Sequence, residues 1–231
     1  EGPDNFISDE FDFSGVTKIG GDGDDIIDGS DGNDLLVGGD GDDTITGFAG
    51  NDTLEGGKGK DTLNGGSGAD TYFYLATTDG STTPGSGDVI ATANFVSGTD
   101  EFVFKSSAFG DGGLLGTVSI TDVPFDTNES KTLTNLTTAA NTDREAYFVE
   151  LTGSTLNATL FNLIDTKVAA GSAAAGKGFI IVDNGTDTKI LFDPDFNNDD
   201  SAPLIEIVPI TGLADGGTIL GPDLVVVPTG T

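Results

Sequence analysis

Asp25, Asp34, Asp43, Asp52, Asp61 and Asp70 stand nine residues apart, each the sixth residue of a nonapeptide that opens on glycine. The six units run unbroken from Gly20 to Phe73: GGDGDDIID, GSDGNDLLV, GGDGDDTIT, GFAGNDTLE, GGKGKDTLN and GGSGADTYF. All follow G-G-x-G-x-D-x-U-x, with U a large apolar residue, apart from Ser30 and Phe48 at the second glycine. Glycines at positions 1, 2 and 4 let the backbone turn sharply and adopt positive φ, so that carbonyl oxygens converge. Aspartate at position 6 brings a carboxylate to the same point. Mixed carbonyl and carboxylate oxygens in a flexible shell suit a hard divalent cation, and calcium takes roughly six to eight of them.

Such ligands have to be positioned by short strands between the turns. Nine residues supply one turn and one strand, so two repeats complete a coil and repeat n lies above repeat n+2, the arrangement of a parallel β-roll. The aspartates then split into two ladders, Asp25, Asp43 and Asp61 on one edge and Asp34, Asp52 and Asp70 on the other, with coils about 4.8 Å apart. This predicts four sandwiched sites, 25/43, 43/61, 34/52 and 52/70, with incomplete sites possible at the ends. Position 8 points inward, making Ile27, Leu36, Ile45, Leu54, Leu63 and Tyr72 the core. Three coils bury little apolar area against chain entropy of roughly 1–2 kcal/mol per residue. At calcium affinities typical of extracellular modules, tenfold saturation adds about 1.4 kcal/mol per site. The roll is therefore expected to be disordered without calcium and folded with it. Lys58 and Lys60 place two cations in the fifth turn, so 43/61 is expected to be the weakest site.

Composition agrees with a cation ligand. The chain has 39 acidic and 9 basic residues, a net charge of −30, and no His, Cys, Met or Trp. This charge argues against nucleic acid and anionic membrane surfaces as partners. Without His or Cys there is no H-E-x-x-H zinc site, Ser-His-Asp triad or thiol nucleophile, and G-x-S-x-G does not occur. Paired carboxylates could serve glycoside hydrolysis, but the aspartates already have a calcium assignment and no tryptophan offers a sugar platform. The expectation is a protein that is not an enzyme. No run of eighteen apolar residues is present, so no membrane insertion is expected. The start at Glu1, with neither Met nor a secretion leader, points to a piece of something larger.

Three segments are expected: 1–19 as an N-terminal cap or linker, 20–73 as the roll, and 74–231 as a β-rich capping and secretion module. FDFSGVTKI reads equally as a cap on the first coil or as a frayed end. After Tyr74 the runs VIATANF, EFVF, TVSI, AYFVEL, GFIIVD, KILF, LIEIVPI and DLVVV are strand candidates bounded by turn residues. STLNATLFNLIDTKV is the exception: Leu156, Leu160, Leu163, Ile164 and Val168 recur at helical spacing. GFIIVDNGTDTKILFD reads as a hairpin around Asn184-Gly185. In DPDFNNDD the alternation of Asp193, Asp195, Asn197 and Asp199 fits a calcium loop and equally a solvated acidic turn, since the Gly and bidentate Glu of an EF-hand are absent. The fold class expected is all-β, a parallel roll followed by a β-rich module with one short helix.

The repeats resemble the RTX proteins, the repeats-in-toxin exoproteins. GGSGADTYFY with GDVIATANFVSGTDEFVF is similar to the segment that ends an RTX roll, where a D-x-I and an F-x-x-G-x-D run cover the last coil. GFIIVDNGTDTKILFDPDFNNDDSAPLIEIVPITGL is similar to a recurring C-terminal RTX unit, and DLVVVPTGT to an uncleaved type I secretion signal. No likeness is seen over residues 105–177. The resemblance implies export through type I secretion machinery, folding on calcium outside the cell, and a secreted, extracellular or cell-surface location. It implies ligands from the six position-6 aspartates and from the carbonyls of Gly21, Gly23, Gly32, Gly39, Gly41, Gly50, Gly59 and Gly68.

The family fixes no single activity. Strong acidity, abundant Thr and Gly and the lack of Cys and Met resemble surface-layer proteins. The reading is thus a calcium-binding module of a large secreted bacterial surface protein, a surface-layer subunit or adhesin, with a surface lattice of copies as a possible partner. The alternative is the C-terminal export and folding domain of a secreted protease, lipase or haemolysin. Ice binding needs flat Thr-x-Thr rows, and only Thr44-Ile45-Thr46 qualifies.

Overall fold

The computed structural model describes residues 5–6, 15–83, 86–91, 95–96, 99–105, 116–117, 119–121, 145–150, 178–183, 187–193, 205–211 and 224–227. In the repeats, positions 7 to 3 form strands and positions 4 to 6 turn the chain. The roll comprises β2 (Thr17–Asp22), β3 (Ile26–Ser30), β4 (Leu35–Asp40), β5 (Thr44–Ala49), β6 (Thr53–Lys58), β7 (Thr62–Ser67) and β8 (Thr71–Tyr74), preceded by β1 (Asn5–Phe6). The β-branched and leucine residues at positions 7 and 8 favour extended backbone, and the glycines that follow let the chain round the next corner.

The strands separate into two parallel stacks, and repeat n lies on repeat n+2. Leu36 pairs with Leu54, and Ile27 with Ile45, each eighteen residues on. The six position-8 residues fill the space between the stacks at 0–1% exposure, as their spacing predicts. β2 extends the first coil back to Thr17, and β1 lies parallel to β3.

Both stacks run on past Tyr74. β9 (Val89–Ala91) lies on β7, and β10 (Glu101–Lys105) lies on β8, both parallel. The aromatic residues of this segment, Phe95, Phe102 and Phe104, pack on the last coil. Phe102 stacks on Tyr72 at 5.5 Å, Phe104 on Tyr74 at 5.5 Å, and Phe95 on Phe102 at 4.9 Å.

The remaining strands join the same two sheets. They are β11 (Gly116–Thr117), β12 (Ser119–Thr121), β13 (Glu145–Glu150), β14 (Gly178–Asp183), β15 (Asp187–Asp193), β16 (Ile205–Thr211) and β17 (Leu224–Val227). One sheet has ten strands in the order β1-β3-β5-β7-β9-β16-β15-β14-β13-β12, the other seven in the order β11-β17-β10-β8-β6-β4-β2. β14 and β15 form the expected antiparallel hairpin. The protein is all-β, a parallel β-roll continued by further strands. The helix expected over Ser154 to Val168 lies outside the described residues. Asp195, Asn197 and Asp199 also lie outside them, and Asp193 ends β15 opposite Gly178.

Candidate metal centres

The turns line two edges of the roll. Turns 23–25, 41–43 and 59–61 make the first edge, and turns 31–34, 50–52 and 68–70 the second. Each turn delivers its position-6 aspartate into the stack, where all six are at most 3% exposed. They form the two ladders read from their spacing. On the first edge Asp25 N–H donates to Asp43 Oδ1 at 2.8 Å, and Asp43 N–H to Asp61 Oδ1 at 2.8 Å. On the second, Asp34 N–H donates to Asp52 Oδ1 at 2.8 Å, and Asp52 N–H to Asp70 Oδ1 at 2.9 Å. The aspartate carbonyls accept from the next coil, for instance Thr62 N–H to Asp43 O and Thr71 N–H to Asp52 O, both at 2.8 Å.

With these bonds made, Oδ2 is the oxygen left over. In Asp43, Asp52, Asp61 and Asp70 it is buried without a hydrogen-bond donor. Burying an ionised carboxylate oxygen without a partner is costly, and such atoms call for an explanation. Burial, reinforced by carboxylates on adjacent rungs and only partly offset by backbone N–H bonds, raises the pKa of Asp43 and Asp70. It pushes Asp52 and Asp61 up to about 7. The sites thus lack positive charge.

Position-1 glycines complete the cradle. A Cβ on Gly38 would run into Asp43 Oδ2 and the Gly56 carbonyl, and one on Gly47 into Asp52 Oδ2 and the Gly65 carbonyl. A carboxylate oxygen and a main-chain oxygen of the next coil therefore face the same small space on each edge. These position-1 carbonyls are absent from the set named in the sequence reading. Their signal was available: position 1 is glycine in all six repeats, whereas position 2 admits Ser30 and Phe48.

The named carbonyls lie elsewhere in the turn. Those of Gly21 and Gly23 press on Gly39 and Gly41 one coil later, those of Gly32 and Gly41 on Gly50 and Gly59, and that of Gly50 on Gly68. Among the described residues no three carboxylates converge. Any cation here would draw most of its oxygens from the main chain, with aspartates from successive rungs, and this donor set fits a hard ion such as calcium.

The departures from the repeat have distinct results. Ser30 donates its N–H to Asp34 Oδ2 at 2.5 Å and its hydroxyl to Asp34 Oδ1 at 2.9 Å, and Val16 N–H also reaches Oδ1 at 2.6 Å. Both oxygens of Asp34 are thereby engaged by the chain itself. Phe48 takes up the glycine geometry at φ 81, a strain of roughly 1–3 kcal/mol. Lys58 grips both oxygens of Asp40, 2.7 and 2.8 Å away on the exposed face of the turn. An outer ladder at position 5 went unread: Asp42 N–H donates to Asp24 Oδ1 at 2.9 Å, and Asn51 N–H to Asn33 Oδ1 at 2.8 Å.

Two further aspartates continue the inner ladders. Asp61 N–H donates to Asp88 Oδ1, and Asp70 N–H to Asp100 Oδ1, both at 3.0 Å. The next residues repeat the roll's backbone bond, Val89 N–H to Asp61 O at 2.7 Å and Glu101 N–H to Asp70 O at 2.9 Å. The sequence carries a trace of each, D-V-I at 88–90 and G-T-D-E-F at 98–102, the latter a half-repeat of G-x-D-x-U.

Residues 19–54 and 46–79 match the RTX calcium-binding nonapeptide repeat (4 copies). No curated protein matches. Among solved structures, the AlgE6R3 subunit from the Azotobacter vinelandii mannuronan C5-epimerase is 35% identical, over 48% of this chain and 63% of that one, with a TM-score of 0.35. The AlgE6R2 subunit of that organism's mannuronan C5-epimerase is 17% identical, over 92% of this chain and 94% of that one, with a TM-score of 0.48. The chain thus spans less than two thirds of the length of the first subunit. The repeat match, the n/n+2 stacking and the two aspartate ladders together establish residues 19–79 as an RTX calcium-binding nonapeptide-repeat module.

Proposed function

We propose that this module is a calcium-gated folding device, in which Asp25, Asp34, Asp43, Asp52, Asp61 and Asp70 and the turn carbonyls hold calcium between coils. The observation that carries the proposal is the row of buried, donorless Oδ2 atoms on Asp43, Asp52, Asp61 and Asp70. When bound, calcium supplies the positive charge that offsets these buried carboxylates. The aspartate Oδ1 atoms and carbonyls fix the coil-to-coil register, and the position-1 glycines leave room for the ion.

Around that device we place a non-catalytic part of a large secreted bacterial surface protein, surface-layer or adhesin-like, that folds on calcium after type I export. The −30 charge and the lack of His and Cys support this reading. Far-UV circular dichroism with added calcium tests the device. The spectrum should pass from coil to β with a midpoint near 10⁻⁴–10⁻³ M, the range of extracellular calcium modules. An unchanged β signal after chelation would refute it.

A further inference from the structure

We propose that Asp61 and Asp88 form an additional calcium position, outside the nonapeptide pattern, that ties the last coil to the strands beyond it. The inference rests on the calcium reading of the roll and extends it to a residue that no repeat contains. Both carboxylates are 0% exposed. Asp88 stands on Asp61 as Asp61 stands on Asp43: Oδ1 accepts the N–H of the rung below, and each Oδ2 is buried without a donor. Among the described residues no lysine or arginine pairs with either; Lys58 is held by Asp40 and Lys189 by Glu206. Two buried carboxylates without a counter-charge form an electrostatically unfavourable pair, and one divalent cation balances it.

The strands after the roll set the position of Asp88. Its N–H donates to Ile207 O at 3.2 Å. A Cβ on the preceding Gly87 would lie 2.8 Å from the carbonyl oxygens of both Glu206 and Ile207 in β16, so only glycine allows so close an approach. A cation between Asp61 and Asp88 therefore joins β7, the segment before β9, and β16 into one unit. The other edge ends differently. Asp100 Oδ1 accepts from Asp70 N–H and Oδ2 from Val96 N–H at 2.6 Å, so the chain itself engages both oxygens there.

Tyr74 provides a local reporter, because its buried hydroxyl lies beside Asp88. Calcium stoichiometry of the full chain, measured by equilibrium dialysis, should fall by one ion in Asp88→Asn, a change that keeps an oxygen for the Asp61 N–H. In the wild-type fold, terbium replacing calcium should show tyrosine-sensitised emission that drops in Tyr74→Phe. This readout decides the matter if Asp88→Asn fails to fold. Equal stoichiometry in folded wild type and Asp88→Asn, or terbium emission unchanged by Tyr74→Phe, overturns the 61/88 position alone. A wild-type chain that binds no calcium overturns the calcium reading of the roll as well.

Discussion

On the first edge of the roll Asp43, Asp61 and Asp88 each keep a buried Oδ2 without a donor, whereas on the second Asp34 and Asp100 have both oxygens engaged. Both edges share the repeat pattern apart from Ser30 and Phe48 on the second and Lys58 and Lys60 on the first, and their interior rungs are alike, with Asp52 and Asp70 again presenting an unengaged Oδ2. The difference lies at the ends. Ser30 and Val16 close the second ladder at its start and Val96 closes it at its finish, while the first ladder presents an unengaged Oδ2 on Asp43, Asp61 and Asp88 up to its finish. One edge is thus held at both ends by N–H and O–H donors of the chain. The other depends on an added positive charge from Asp43 to Asp88.

Removing both upper ends at once should have the largest effect. A chain cut after Phe73 loses Asp88, Asp100 and strands β9 and β10, exposing Tyr72 and an unpaired strand edge. It should need much more calcium to fold than the full chain, or fail to fold, as read by circular dichroism. Folding at the same calcium concentration would show that the ladder ends do not matter.

Within the first edge, Asp43 belongs to two sandwiched sites, 25/43 and 43/61, and Asp25 to one. Asp43→Ala should therefore cost about 1–2 kcal/mol more than Asp25→Ala at tenfold calcium saturation, as read from denaturant midpoints. Equal costs would count against ladder sharing.

Acidity tests the interior rungs. In the calcium-free fold, burial holds Asp52 and Asp61 at about 7, against about 3.9 for an unfolded aspartate. Between those values the folded chain binds more protons than the unfolded one, so calcium-free stability should rise as pH falls from 7 toward 4. Protons also compete with calcium, so the calcium midpoint should move to higher concentration over the same window. Calcium titrations at pH 7.5 and pH 5 check the midpoint, and circular dichroism in chelator checks the stability: β signal should be gained, not lost, from pH 7.5 to pH 5, and a decrease would contradict the sign.

Ser30→Ala makes the second edge more like the first by removing the hydroxyl donor to Asp34. Its expected cost is about 1 kcal/mol, measured without calcium under conditions where the fold persists, and smaller in calcium. An equal cost in both conditions would mean that Ser30 acts only through packing.

The core and the ladders were legible because a nine-residue phase fixes them: Ile27 to Tyr72 all point inward, and rungs eighteen residues apart meet. The phase even pairs Lys58 with Asp40 once n/n+2 stacking is accepted. Asp88 and Asp100 escaped as rungs because they sit 27 and 30 residues beyond their partners, in half-repeats whose turns have lost the leading glycine. Ser30 was legible as a missing glycine but not as a gained donor, since the pattern records backbone freedom and not what a hydroxyl reaches. The position-1 carbonyls carry no mark of their own in the pattern, because glycine at positions 1, 2 and 4 serves the turn alike, although position 1 never varies across the six repeats.

Hydrogen exchange at the rung amides tests the central claim most directly. The N–H groups of Asp25, Asp43, Asp34 and Asp52 each donate to the carboxylate of the next rung, so they report whether the ladders exist. The account predicts strong protection of all four in millimolar calcium and its loss after chelation, with exchange on the first edge at least as fast as on the second. Protection that survives chelation unchanged would show that the ladders stand without calcium, and would contradict the account.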